Sequence, residues 1–391
     1  MASPAPSDNS VPLWRDDRII RLGLQVLVLL LVVGIGGLMV GNMNRNLQQL
    51  GRQFDYGFLK NQAGFNIGES VLPYAPNDSY GWALFVGFVN TLRLIVVGFI
   101  TTTVVGVLAG IASFSDNWLI RRLNLIYVEV VRNTPLLLQL FFWYFVVLFG
   151  LSQAGEVRRL LGGGLYISKK GITLPWPANT PTAWASALGL LILAVAAYLV
   201  WRWRLRQMEQ VGRSGRGQGL VLWAMAAIAL TLFCFGLGWS FPRLGDDNLV
   251  GGGLRISLEY AAMLAGLTFY TGAFIAEIVR AGIQSVSRGQ WEAARSLGLK
   301  TGLALRLVVF PQALRVIIPS LNGQYMNLAK NSSLALAIGY PDIFATGQTI
   351  QNQTGRAVEV VLLWAVTYLS INLIISLVMN RFNQSVQILE R

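Results

Sequence analysis

Histidine is absent from the 391-residue sequence, and with it the commonest general acid/base and most zinc chemistry. The single cysteine, Cys234, lies inside an apolar run; no intrachain disulfide can form, and packing is its expected role. No GxxxxGK[ST] pattern occurs, so a Walker A route to ATP is excluded for this chain. Charge is scarce as well, at 13% of residues, against roughly 25% in a soluble domain. Residues 1–18 are polar and lack a short apolar region followed by a small-residue cleavage site, so no signal peptide is expected.

What fills the space is hydrophobicity: 54% of residues, gathered in long runs. The fold class is therefore all-α, a polytopic helical membrane protein of about eight transmembrane helices. The runs predict spans at about 19–41, 82–113, 119–150, 183–201, 219–240, 256–281, 313–338 and 358–379. The third starts amphipathically, passes Arg132-Asn133-Thr134-Pro135 and ends in the aromatic run 141–145; its proline is expected to kink it. Between spans, residues 42–81, 150–182, 241–254 (with Asp246-Asp247 and a triple glycine) and 339–357 read as external segments, the last partly re-entrant.

A net charge of +13 raises nucleic acid as a partner, but the basic residues sit in loops between spans. The positive-inside rule explains that placement, and no nucleic-acid role is expected. With both termini cytoplasmic, nineteen Lys and Arg fall on cytoplasmic segments, among them Arg15, Arg202, Arg204, Arg206, Arg213 and Arg391, and ten on external ones. Arg93 and Lys330 are left inside spans. The discordant segment is 150–182, which places Arg158, Arg159, Lys169 and Lys170 outside.

One cytoplasmic loop is too long for a turn. Residues 288–311 carry Gly289-Gln290-Trp291-Glu292-Ala293-Ala294-Arg295-Ser296-Leu297-Gly298 and, further on, Val308-Val309-Phe310-Pro311. Glu292 suits the positive end of a short helix, the alanines allow close approach of a partner, and Gly298 can end the helix with a left-handed residue. Pro311 is expected to reset the chain into the next element. The loop alone also fits an ordinary interfacial helix.

The spacing Glu-Ala-Ala, three residues, Gly, nine residues, hydrophobic-x-hydrophobic-Pro resembles the hallmark of the membrane-spanning permease subunits of ABC importers, with Val308 and Phe310 as mild departures from its commonest ending. Asn90-Thr91-Leu92, the stretch 128–137 with Gln139, Ala276-Glu277-Ile278-Val279-Arg280-Ala281-Gly282 and Lys330-Asn331-Ser332-Ser333-Leu334 resemble the polar amino-acid branch, of the histidine/glutamine/glutamate type. The likeness covers about 84–149 and 255–385. Typical members have five spans; the three additional ones, from the N-terminal extension and a two-span insertion at about 150–254, resemble the enlarged general L-amino-acid and glutamate/glutamine/aspartate/asparagine permeases. The implied division is 1–81 (tail, first span and periplasmic loop), 82–385 (permease domain of type I importers) and 288–311 (coupling loop within it).

That resemblance implies a permease in the bacterial inner membrane that is not itself an enzyme, binds no cofactor and imports polar L-amino acids by alternating access. ATP and Mg belong to cytoplasmic ABC ATPase partners that dock on Gly289, Glu292, Ala293, Ala294, Gly298 and Pro311. A second permease subunit, homologous or identical, and a periplasmic amino-acid-binding protein complete the set, with the lipid bilayer around it. Polarity within the core spans makes Glu277, Asn327, Lys330, Asn331, Ser332 and Ser333 candidates for the substrate pathway, followed by Asn90 and Thr91. Each has a structural alternative. Glu277 and Arg280, three apart, fit an ion pair; Lys330 could equally pair with Glu129 or Glu259, or snorkel; the Asn and Ser residues suit interhelical hydrogen bonds. Two other classes compete. A secondary transporter would show inverted hydropathy repeats, which are not evident, and a membrane enzyme would need a catalytic cluster at a span end, which is missing. An opine or another small polar ligand within the same family remains the alternative cargo.

Overall fold

The computed structural model describes residues 17–49, 51, 53–152, 157–211, 216–245 and 250–386. Arg15, Arg213, Asp246, Asp247 and Arg391 lie outside the described residues. Eleven helices are described: α1 Asp17–Gln49, α2 Tyr80–Ala112, α3 Trp118–Asn133, α4 Leu136–Phe149, α5 Pro181–Val211, α6 Arg216–Gly236, α7 Leu258–Gln284, α8 Arg288–Ser296, α9 Thr301–Ile338, α10 Ile343–Thr354 and α11 Ala357–Val386. Seven of them are long and apolar enough to cross a membrane, and α3 with α4 brings the number to 8 if that bent pair is one span.

α7 is the axis. Twenty-seven residues long, it reaches about 40 Å, with Ser257 capping its start by accepting the Tyr260 N–H at 3.0 Å. α2 lies along it, and the seam depends on missing side chains. A Cβ on Gly106 would stand 2.5 Å from Ile275 Cβ, and one on Gly110 would stand 2.6 Å from Val279 Cβ. This Gly-x-x-x-Gly spacing lets two backbones touch where hydrophobicity supplies no drive between helices. Hydroxyls add cross-links: Thr101 Oγ1 lies 2.6 Å from Thr268 Oγ1, and Thr103 Oγ1 lies 2.7 Å from the Tyr325 hydroxyl of α9. α4 docks Leu140 against Gly266, and α9 docks Ile317 against Gly282. The core gathers here, around Leu94, Leu140, Met263, Leu267 and Leu328 at one end and Ile275, Val279, Ile283 and Ile317 at the other.

The third span is broken, where a kinked helix was expected. α3 and α4 meet at 111° across Thr134-Pro135. Pro135 forces Thr134 out of the helical region, to φ −104 and ψ 128. The carbonyls freed at the corner do not go unpaired: Gln139 Nε2 donates to Val131 O and Thr134 O, both at 2.9 Å.

Three further differences from the sequence reading stand out. The external segment 150–182 is partly β-structure: strands β1 Arg158–Leu160, β2 Leu165–Ser168, β3 Gly171–Leu174 and β6 Leu254–Ile256 form one antiparallel sheet in that order, while β4 Arg243–Leu244 pairs with β5 Val250–Gly251. Lys169-Lys170 is the two-residue turn between β2 and β3, closed by Gly171 at φ 131. Residues 54–79 are not a free loop either, because Phe58 and Ala63 are buried in a cluster with Ala83, Ile350 and Trp364. Finally, the seventh span begins at Thr301, well before 313; Pro311, which has no N–H to give, follows directly on a widened turn at Leu305–Val309 inside this helix and does not start a new element. The three additional spans bury little: none of the most apolar window of α1 or α6, and 11% of that of α5.

Replacing Gly106 or Gly110 by Leu is expected to lower the unfolding midpoint in detergent, with the cost of overpacking at about 1–3 kcal/mol. Gly34→Leu in α1, where nothing lies within 4 Å, leaves it unchanged. Equal midpoints for all three variants would show that the α2–α7 seam does not depend on close backbone approach.

Candidate functional site: the α8 motif and the polar face of α9

α8 is a nine-residue helix with two unlike sides. Ala294 is buried, and Trp291 packs against the core cluster that includes Ile283, Val286, Val309 and Ala313, which anchors the helix to α7 and α9. Gly289, Glu292 and Ala293 face outward, and Leu297 just past the end is 79% exposed. Gly298 adopts φ 73, and the chain closes with Leu299 N donating to Ala294 O at 3.1 Å and Gly298 N to Arg295 O at 2.8 Å. That is the Schellman arrangement, which needs a left-handed residue at this position. Gln312 Nε2 reaches Gln290 Oε1 at 3.1 Å, so α8 is joined to α9, just past its widened turn, by a polar contact as well as by Trp291. The outward surface of α8 thus combines Gly289, Glu292 and Ala293 with the longer exposed side chains of Arg288, Gln290 and Arg295, and Leu297 stands exposed just past its end.

α9 then carries polarity away from α8. Ser320, Gly323, Asn327 and Lys330 recur at helical spacing along one exposed face. Lys330 has no acidic partner among the described residues; Glu259, one of the two acids considered for it, accepts the Tyr144 hydroxyl at 2.7 Å. Asn331 and Ser333 are half-buried beside this face, Ser333 donating to Lys330 O, and Ser332 is fully buried, donating to Ala329 O, both at 2.8 Å.

The remaining candidates are elsewhere. Glu277 lies near the far end of α7, where Arg280 Nε donates to it at 3.1 Å and Arg132 Nη1 approaches to 3.7 Å. The basic residue of the α3–α4 corner is thus held by α7. Asn90 and Thr91 are fully buried. Asn90 Nδ2 donates to Glu69 O and Pro341 O, both at 2.9 Å, and Thr91 Oγ1 accepts from Ile343 N at 2.9 Å. Their polar groups are engaged in tying residues 340–343 to α2. Sequence reasoning passed over two residues, Glu69 and Asp342. Glu69 forms an ion pair with Arg93; the signal was the lone arginine inside an apolar run. Asp342 is fully buried and caps α10, accepting Ala345 N at 2.7 Å and the Tyr368 hydroxyl at 3.3 Å. Burial pushes its carboxyl up to about 7, against the pull of the backbone N–H groups that donate to it.

The helical bundle thus carries a short exposed helix at one end and, on α9, a polar exposed face. Residues 221–388 match the family described as "Binding-protein-dependent transport system inner membrane component". The chain is 41% identical over 370 residues to the general L-amino acid transport system permease protein AapQ of Rhizobium johnstonii, covering 94% of this chain and 92% of that one. It is 36% identical over 409 residues to the glutamate/glutamine/aspartate/asparagine transport system permease protein BztB of Rhodobacter capsulatus, covering 96% of each. The chain belongs to the family of amino-acid ABC-importer permeases.

Because the folded state holds the Asp342 proton to higher pH than the unfolded chain does, this group's contribution to stability is complete below about pH 4 and is lost as pH rises toward 7. The unfolding midpoint of the wild type relative to Asp342→Asn should fall across that window and level off above it. A flat difference would mean that Asp342 is ionised in the fold throughout. Separately, Gly298→Ala should cost about 1 kcal/mol through backbone conformation alone, since nothing crowds the position; it should speed amide exchange at Leu299 while leaving α7 protected.

Proposed function

We propose that this chain is one of two permease subunits of an importer that carries polar L-amino acids, among them glutamate, glutamine, aspartate and asparagine, across the bacterial inner membrane with both termini in the cytoplasm. The observation that carries the reading is the α8 motif as a short, largely exposed helix anchored by Trp291 and Ala294 and linked to α9. A separate ATPase with ATP and Mg docks on Gly289, Glu292, Ala293 and Leu297. Its closure moves α8, and the Trp291 and Gln290–Gln312 contacts pass that motion to α9. Asn327 and Lys330 then meet the solute from the polar face of α9: a cation for its carboxylate and an amide for its remaining polar groups. A soluble binding protein supplies the solute from the other side of the membrane. The relatives' names support the amino-acid cargo; an opine or another small polar solute is the competing cargo.

Uptake of radiolabelled amino acids in cells lacking and regaining the chain, with unlabelled competitors, tests the cargo directly. Glu292→Lys should abolish uptake while the ATPase retains its unstimulated activity. Lys330→Met should depress uptake at least tenfold, roughly the scale of one lost charge contact, and depress ATPase activity less. Normal uptake by the Glu292 variant would remove α8 from the coupling role, and normal uptake by the Lys330 variant would remove that residue from the pathway.

A further inference from the structure

At the end of the bundle opposite α8, three parts of the chain that are distant in sequence enclose a cavity of about 540 Å³. The 54–79 segment contributes Glu69, the core helices contribute Arg93 and the Ser257 cap of α7, the sheet contributes Lys170 and Arg255, and the chain just past β3 contributes Trp176. Small-solute sites occupy roughly 300–1,000 Å³ and combine an aromatic wall with a few convergent polar groups. Three of the lining residues are cations and one is an acid. The acid is already used: one oxygen of Glu69 pairs with Arg93, and the other accepts the Ser257 N–H at 3.1 Å. The Arg93 guanidinium also stacks 4.0 Å over the Tyr260 ring, which fixes it in place. Lys170 and Arg255 make no ion pair among the described residues.

The inserted sheet brings these two charges to the cavity. Lys170 occupies the tight turn between β2 and β3, and Arg255 lies on β6 opposite Thr173 of β3. Lys170 lies within the insertion, and Arg255 lies on the strand that leads from it into α7. A concave wall with two uncompensated positive charges beside an indole suits a small anion better than a flat protein surface.

We propose that this cavity is a receiving site for small solutes bearing carboxylates, in which Lys170 and Arg255 hold the carboxylates. Acidic amino acids therefore bind there more tightly than neutral ones. That the solute is the transported one rests on the function proposed above; the carboxylate site itself does not.

Saturation-transfer NMR on the assembled membrane complex in nanodiscs, without the soluble binding protein, uses L-glutamate as the probe and L-glutamine as the comparison. Wild type should show glutamate binding stronger than glutamine binding. The double variant Lys170→Glu with Arg255→Glu should weaken glutamate binding roughly tenfold, on the scale of two charge contacts reversed near the surface. Lys170→Arg with Arg255→Lys should restore it, and the unfolding midpoint should match wild type throughout. No glutamate signal on wild type, equal signals for the two probes, or an unaltered signal in the charge-reversed variant would each overturn the site. So would an unaltered signal accompanied by lost capture of the binding protein, which would assign the two cations to protein docking. If the NMR result holds while the complex transports no amino acid, the proposed function fails and the carboxylate site stands.

Discussion

The contact on which the rest of the structure hangs is that between the backbones of α2 and α7. In a hydrocarbon environment apolar side chains gain nothing by leaving lipid for each other, so association must come from van der Waals contact and hydrogen bonds. Gly106 and Gly110 admit Ile275 and Val279 to distances that any Cβ would forbid. The same device recurs around α7: Gly266 takes Leu140 of α4, and Gly282 takes Ile317 of α9. One helix therefore sets the position of its neighbours by what it lacks. α9 carries the polar face and α8 extends from the end of α7, so the relation between them is fixed through this axis.

Buried polarity does a second job in the same region. The amide of Asn90 and the hydroxyl of Thr91 are spent on residues 69, 341 and 343, which staples a segment outside the spans onto α2. Gln139 does the same for the α3–α4 corner. An unpaired carbonyl in lipid costs several kcal/mol, so a break of 111° survives only where a side chain replaces the lost helical partner. Polar side chains within apolar spans thus divide into those whose bonds are all used, such as Asn90, and those on an open face, such as Lys330. Only the second group has capacity left for a ligand.

That division explains how far the sequence could be read. The spans were legible because lipid demands some twenty apolar residues in a row. α8 and its glycine stop were legible because helix termination at Gly298 is a local matter of backbone conformation. The Glu277–Arg280 pair was legible from its spacing of three, but which of Asn90, Thr91 and Lys330 has an open side was not, since for Asn90 and Thr91 that depends on partners some 250 residues away. The sheet was missed for a different reason. Strands of two to four residues leave no periodic signal, and Gly171 and Lys169-Lys170 read equally well as loop. The corner at Pro135 was half legible: proline announces a disturbance, but the angle is decided by Gln139 and by the docking of Arg132 on Glu277.

The misfit in the charge count now has a physical account. Basic residues normally avoid external segments close to spans, because Lys and Arg there oppose the orientation of the chain. With the orientation proposed above, Arg158, Arg159, Lys169, Lys170 and Arg255 break that pattern together, in one sheet and its turn. Arg159 is held locally, donating to Gly162 O at 3.0 Å, whereas Lys170 and Arg255 line the cavity with Arg93. A cluster of cations that works against membrane insertion persists only if it does something once folded. As the receiving site proposed above, a cavity with an excess of two positive charges gives those cations a use, because a cleft lined by one sign of charge raises the local concentration of anionic solutes.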